Sequence, residues 1–96
     1  LSIKVKGYLQ IKTAIGGTGE IELELPAATL REVLCHVAES YGEAFRNRVF
    51  DPKTGAIRPE NPILVNGRHY RALHGGLDFT VHDGDTVAIF PPIAGG

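Results

Sequence analysis

Apolar and polar residues alternate from the start of the chain. Ile3, Val5 and Leu9 oppose Lys4, Lys6 and Tyr8, the period-two pattern of a strand with one buried face. Gly7 interrupts the apolar side, which predicts a bulge. Ile11 and Lys12 lead to Gly16-Gly17-Thr18-Gly19, and Glu20 to Leu25 then alternate without a break. The expectation is a hairpin closed by a loose glycine-rich loop. Glu20, Glu22 and Glu24 share one face of its second strand, read as a solvated face that discourages edge pairing in preference to an acidic docking stripe.

Pro26 closes that strand, and the period changes after it. Thr29-Leu30-Arg31-Glu32 has the form of a capping box, and Leu30, Val33, Leu34, Val37, Ala38 and Tyr41 make one apolar stripe at helical spacing. Gly42 suits the helix stop. Glu43 to Phe50 is expected to add a short helical turn before Asp51-Pro52-Lys53-Thr54-Gly55 reverses the chain. Pro62 precedes a strand, Ile63-Leu64-Val65, and Asn66-Gly67 signals a hairpin into Arg68-His69-Tyr70-Arg71. A connecting segment with Gly75-Gly76 follows. Asp83-Gly84-Asp85 then turns the chain into Thr86 to Phe90, whose nearly continuous apolar character places it near the middle of a sheet.

Strands, one main helix, and strands again predict an α+β domain in which a mixed sheet of four to five strands carries the helix across one face. If the first and last strands lie parallel and adjacent, the fold is a β-grasp. Its 96 residues support a single core, with the folded unit expected over residues 1–90 and a projecting tail over 91–96.

Composition narrows the function classes. Ten basic and eleven acidic residues leave a net charge of −1, so no field over the whole chain draws it to nucleic acid or an anionic membrane. Arg46, Arg48, Arg58, Arg68 and Arg71 either gather into a local patch or dress a solvated surface, the latter preferred. The one cysteine, Cys35, leaves no internal disulfide and no cysteine-rich metal site. No apolar run approaches the ~20 residues that span a bilayer, and a cytoplasmic location is expected.

The usual sites are missing. His36, His69, His74 and His82 lack metal-ligand spacing. The Gly16 to Gly19 stretch sits between strands, and a phosphate cradle needs a following helix N-terminus. Cys35 falls off the apolar stripe and has no base beside it on the helix, so packing or neutral surface is its expected role.

The end of the chain, Phe90-Pro91-Pro92-Ile93-Ala94-Gly95-Gly96, has a different character. Pro91 and Pro92 lack amide donors and hold an extended backbone, predicting a stiff projecting stalk. Gly95 and Gly96 form a tip without side chains that can enter a narrow channel and bring a carboxylate to a reactive phosphate.

Asp83 to Gly96, DGDTVAIFPPIAGG, resembles the C-terminal signature of the MoaD/ThiS ubiquitin-like sulfur carriers. The element order is similar to that family's β-grasp fold along nearly the whole chain, and Ile63 to Gly67 resembles its central hairpin. Phe50 to Gly55 makes the chain more similar to MoaD-related and archaeal modifier-like members than to the shorter thiamin carriers. Gly7-Tyr8-Leu9-Gln10 departs from the Phe-x-x-Leu-Arg-Glu stretch common in MoaD proteins.

The resemblance implies a carrier acted on by enzymes, with no catalytic residues, bound cofactor or metal of its own. A MoeB/ThiF-like adenylyltransferase would use Mg-ATP to adenylate Gly96, and sulfur from a cysteine desulfurase or rhodanese-like donor would give the thiocarboxylate. Gly96 would bear the sulfur. Gly95 and Ala94 would give access, and Phe90, Pro91, Pro92 and Ile93 would anchor and direct the tail, in molybdopterin synthase against a MoaE-like large subunit. Molybdenum or tungsten cofactor synthesis, or a related sulfur transfer, is the implied destination. A protein modifier joined to lysines through Gly96 is the alternative within the same chemistry, and a noncovalent β-grasp interaction module the alternative outside it.

Overall fold

The structure, a computed structural model, describes residues 2–92. Strand β1 (Ile3–Gly7) buries Ile3, Val5 and Gly7 and turns Lys4 and Lys6 outward, as the alternation predicts. It does not continue through Leu9. Leu9 has a positive φ of 53° and is 72% exposed, and the chain enters a short helix, α1 (Gln10–Ala14). The helix precedes the expected glycine-rich loop, Gly16 to Gly19, which follows it as a turn. Ile11, Ala14 and Ile15, at i, i+3 and i+4, bury one face of it against β1.

Gly7 is not a bulge, because its pairing with β7 runs on in register, Lys6 opposite Ala88 and Gly7 opposite Ile89. It is a close approach: a Cβ there would lie 2.9 Å from Ile11 Cγ2 and 3.0 Å from Ile15 Cδ1. Gly7→Ala is expected to destabilise the fold by about 1–3 kcal/mol through overpacking. Urea denaturation of the variant and the parent checks this.

The antiparallel partner β2 (Glu20–Leu23) is the outer strand of the main sheet and exposes Glu20 and Glu22. Glu20 lies 3.8 Å from Lys4 Nζ and 4.0 Å from Lys6 Nζ, surface pairs worth little individually. A short strand β3 (Ala27–Thr29) delivers the chain to α2 (Leu30–Tyr41). The predicted capping box forms: Thr29 Oγ1 accepts from the Glu32 amide at 3.1 Å, and Glu32 Oε1 accepts from the Thr29 amide at 2.8 Å. Leu30, Val33, Leu34, Val37 and Ala38 are buried, each of the larger ones contributing about 1.5–3 kcal/mol. Tyr41, the last of the predicted stripe, is 37% exposed.

Gly42, at φ 77°, is the joint between α2 and α3 (Glu43–Val49), so the expected helical turn is a two-turn helix that buries Phe45 and Val49. The Asp51 to Gly55 reversal is closed by the Asp51 N–H donating to Ala56 O at 2.7 Å and by a bridge between Phe50 and Ile57. Strand β4 (Ile63–Val65) and the two-residue β5 (Arg68–His69) form the predicted Asn66-Gly67 hairpin. Tyr70 to Ala72 then coil into a 3-10 turn whose Arg71 N–H donates to His69 Nδ1 at 3.1 Å.

The connecting segment contains a second 3-10 turn, Gly76–Asp78, and strand β6 (Thr80–His82), which pairs antiparallel with β3 in a separate two-stranded sheet. The sequence pattern does not predict this pair. Each strand has only three residues, too few to show a period, and Val81 is the one side chain of β6 that is fully buried.

The last strand, β7 (Thr86–Ile89), lies in the centre of the main sheet. The strand order is β2-β1-β7-β4-β5, with β1 and β7 parallel and the other neighbours antiparallel. The inner face, from Ile3, Val5, Ile63, Val65, Val87 and Ile89, joins Leu30, Leu34, Val37 and Phe45 in one core. This is the β-grasp arrangement, a mixed five-stranded sheet with α2 as its main helix.

The start of β7 is tied by one carboxylate. Asp85 accepts from the His82 amide at 2.8 Å and from Asn66 Nδ2 at 3.0 Å, while Asn66 Oδ1 accepts from the Thr86 amide at 3.0 Å. Desolvation alone raises the Asp85 carboxyl, but the His82 N–H, the Asn66 amide and the nearby His82 charge together outweigh it and hold it below its ordinary value. The ionised form is thus favoured in the folded state, so its contribution is complete above the unfolded value and is lost as pH falls through the folded one. Asp85→Asn should lower the urea midpoint at neutral pH. The gap from the parent should narrow in acid, read in parallel denaturation series.

Candidate functional site

The predicted tail begins where the sheet is held from two sides. The Phe90 N–H donates to Pro62 O at 2.9 Å, and the Tyr8 N–H donates to Ile89 O at 3.2 Å. The loop that carries Pro62 is itself fastened to the C-terminal end of α3. Asn61 Nδ2 donates to Arg48 O at 2.7 Å, Arg58 Nε to Asn47 O at 2.9 Å, and the Arg58 N–H to Val49 O at 2.8 Å. These bonds satisfy carbonyls that a helix end leaves free. They also transmit the rigidity of the core to Phe90.

Phe90 is half-buried, and its ring stacks on Tyr8 with centroids 4.4 Å apart and planes 2° from parallel. Tyr8, 39% exposed, was not singled out from the sequence as a site residue. The signal was present in the alternation, because Lys4, Lys6 and Tyr8 point to the sheet face opposite the core. On that face Ala88 lies between Lys6 of β1 and Leu64 of β4. Tyr8, Phe90, Ala88 and Leu64 are partly exposed and give the central strands an apolar surface, with the Lys4, Lys6 and Glu20 charges toward β2. An aromatic anchor beside a polar margin is the usual anatomy of a protein-binding patch.

Pro91 departs from expectation. It is buried and shares the lining of one cavity with Ile11 and the exposed Pro92, so the stalk begins one residue later than the proline pair suggests. Its apolar ring, without an N–H to satisfy, can be buried at no hydrogen-bonding cost. The expected anchor Ile93, the access residues Ala94 and Gly95, and Gly96 itself lie outside the described residues.

Position also accounts for the departure near β1. Counted from Tyr8 through α1, the aromatic, aliphatic and basic positions of the Phe-x-x-Leu-Arg-Glu stretch are filled by Tyr8, Ile11 and Lys12. Tyr8 supports Phe90, and fully buried Ile11 supports the cavity beside Pro91.

The other candidates remain apart from this region. Cys35 is exposed and lines a cavity of about 310 Å³ with Ala38, Phe50, Pro52 and Gly55, against the two later helices. Among the described residues, no group of three or more His, Cys, Asp or Glu is placed to hold a metal ion, and no helix is long and apolar enough to cross a membrane. The arginines of the second half make separate contacts, and Arg71 donates to Pro59 O at 3.3 Å. Arg46 lines the Cys35 cavity, Arg71 lies 5.8 Å from the Tyr70 ring centroid, and Arg48 and Arg58 line the cavity beside Pro91.

Comparison with known proteins agrees with the fold. The family model described as "ThiS family" matches residues 7–96. A protein of Archaeoglobus fulgidus named, provisionally, a sulfur carrier protein is 30% identical over 78 residues, 81% of this chain and 85% of its own. Small archaeal modifier protein 3 of Haloferax volcanii is 35% identical over 69 residues, 72% of this chain and 71% of its own. The solution structure of small archaeal modifier protein 1 from Methanosarcina acetivorans superposes with a TM-score of 0.84 at 28% identity, covering 99% of this chain and 96% of that one.

Proposed function

The chain belongs to the ThiS family of ubiquitin-like sulfur carriers and modifiers, and from that premise we propose that it is a sulfur carrier whose working group is the Gly96 carboxylate. The observation that carries the reading is the tail root: a central strand, held at Phe90 by Pro62 and Tyr8, ends beside an exposed aromatic face. A partner that grips that face also holds the root of the tail.

The chemistry divides between the chain and its partners. A carboxylate is a poor electrophile, so a MoeB/ThiF-like adenylyltransferase holding Mg-ATP lets the Gly96 oxygen attack the α-phosphorus and expel pyrophosphate. The resulting mixed anhydride has AMP as a good leaving group. The terminal sulfur of a persulfide on a desulfurase or rhodanese-like donor then attacks the acyl carbon, AMP departs, and a donor thiol cleaves the acyl disulfide to release the thiocarboxylate and a donor disulfide. This chain supplies a tip that no Cβ obstructs and a rigid launch point. Phosphate binding and metal belong to the partner, so the chain alone is a substrate and not a catalyst. Residues 92–96 act as the tail, with Pro92 and Ile93 directing it from the buried Pro91 and Ala94 and Gly95 passing the channel. A MoaE-like subunit of molybdopterin synthase is the proposed recipient.

Coexpression with the adenylyltransferase and a sulfur donor, followed by intact-mass analysis, tests this. One sulfur replacing one oxygen at Gly96 is the expected product. An unchanged chain under ATP and sulfur supply would overturn the proposal. The modifier relatives favour a second use of the same acyl-adenylate, attack by a lysine amine to leave Gly-Gly remnants on target proteins. Digestion and mass mapping of cell lysates separate it from sulfur transfer.

A further inference from the structure

Pro92, the last of the described residues, stands with Pro91, Arg48, Arg58 and Glu60 in the wall of a cavity of about 240 Å³. The chain passes this wall with four residues still to come, Ile93 to Gly96. Extended, they reach at most about 14 Å, more than the width of a cavity of this size. The charges in the wall are unequal. Arg48 and Arg58 stand against one carboxylate, Glu60, and no ion pair among the described residues engages any of the three. Arg58 is half-buried and held in place: its Nε donates to Asn47 O at 2.9 Å and its amide to Val49 O at 2.8 Å, leaving the two terminal nitrogens for another acceptor. The Arg48 backbone is anchored too, because its carbonyl accepts from Asn61 Nδ2 at 2.7 Å.

We propose that the chain's own tail rests in this cavity, with the Gly96 carboxylate against Arg48 and Arg58, and that the activating enzyme must draw it out before adenylation. The inference rests on the proposed function for Gly96 as the end of the chain that is charged. The tether selects this occupant. An anion in solution gains little from exposed guanidinium groups, whereas a tail of four residues holds its carboxylate beside them at an effective concentration in the millimolar range. A contact too weak to form between molecules is therefore populated within one. The tail of a second copy has the same chemistry without the tether. Ile93 follows Pro92 directly and meets the apolar rings of the proline pair, while Gly95 and Gly96 can adopt the positive φ that turns the carboxylate back toward the cations. The two glycines that fit a partner's channel thus also serve as a turn in the resting chain.

The contact is read by NMR on the full chain. Nuclear Overhauser effects are expected between the Gly96 α protons and the δ protons of Arg48 and Arg58. Molar sodium chloride should weaken them by screening the pair, and Arg48→Gln should weaken those to Arg58. In a mixture of labelled and unlabelled chains they should stay within one chain. Their absence from the parent overturns the inference. Effects that cross between labelled and unlabelled chains assign the cavity to a second copy and overturn it as well.

The restraint is read by adenylation with a ThiF-type adenylyltransferase purified from the same organism. Arg48 is exposed and meets Asn61 through its carbonyl, so Arg48→Gln leaves the core intact. It should raise kcat/KM about fivefold, the factor that a surface ion pair at the upper end of its usual strength supplies. Arg48→Lys keeps the charge and should stay near the parent. Loss of an ordinary docking contact would move kcat/KM the other way. An unchanged or lowered kcat/KM for Arg48→Gln overturns this inference and leaves the proposed function standing. A parent that is never adenylated overturns the function, and the nuclear Overhauser effects then decide the resting contact on their own.

Discussion

Deleting Gly95 and Gly96 is expected to abolish adenylation and thiocarboxylate formation while leaving the melting transition almost where it was. The chemical loss is complete because the shortened chain ends at Ala94. Its carboxylate falls short of the phosphate by about two residues of extended backbone, roughly 7 Å, and displacement by even about 1 Å is costly to a positioned reaction. The fold is spared because the buried hydrophobic core of the described residues runs from Ile3 to Ile89, upstream of the cut. Intact-mass analysis after coexpression reads the first effect and differential scanning calorimetry the second. A deletion mutant that still acquired sulfur would remove Gly96 from the mechanism. Gly96→Ala refines the test: docking should persist while adenylation is lost, because the added Cβ narrows the approach at the tip.

The second large effect is expected at the aromatic pair. Tyr8→Ala should raise KM for adenylation by tenfold or more with a much smaller change in kcat. Truncating an aromatic anchor at the centre of an interface costs about 2 kcal/mol or more, and about 1.4 kcal/mol corresponds to a factor of ten. Tyr8 is 39% exposed and its stack with Phe90 lies outside the core, so the cost to the fold should stay near the 0.5–1.5 kcal/mol typical of such pairs. Tyr8→Phe retains the ring and should be nearly silent. Steady-state kinetics on the three proteins, with urea denaturation alongside, separates a docking residue from one that only stabilises the strand. Equal KM values for parent and Tyr8→Ala would place the partner on another face.

The candidate site was legible where it depends on local chemistry. Phe90 to Gly96 stood out through the two prolines and a terminus without side chains, and Asp83 to Gly96 carried the resemblance to the family, which the element order fits. Tyr8 escaped because its role exists only once β1 and β7 lie side by side. Leu9 read as the next buried position of a strand, yet the chain turns there and exposes it. α1 was hidden for a related reason: Ile11, Ala14 and Ile15 span barely more than one helical turn, which has no distinctive period, and it is held by packing into the space that Gly7 leaves open. Asn61, Arg48 and Arg58 carry no shared motif and meet only because the loop before Pro62 folds back on the end of α3.

By itself, then, the sequence determined which face of β1, β2, α2, β4 and β7 is buried, where α2 is capped and where the hairpin between β4 and β5 turns. Those properties are set by periods of two and 3.6 residues and by backbone preferences at Thr29, Gly42, Asn66 and the closing prolines and glycines. The tertiary structure decided the pairing of β1 with β7 and of β3 with β6, the burial of Pro91, the Tyr8 and Phe90 stack, and the cavity around Asn61. Alternation says that a side chain turns inward and leaves open what it will meet. Partners distant along the chain are selected by how the whole core packs, because only there do burial and hydrogen bonding repay the entropy of bringing them together.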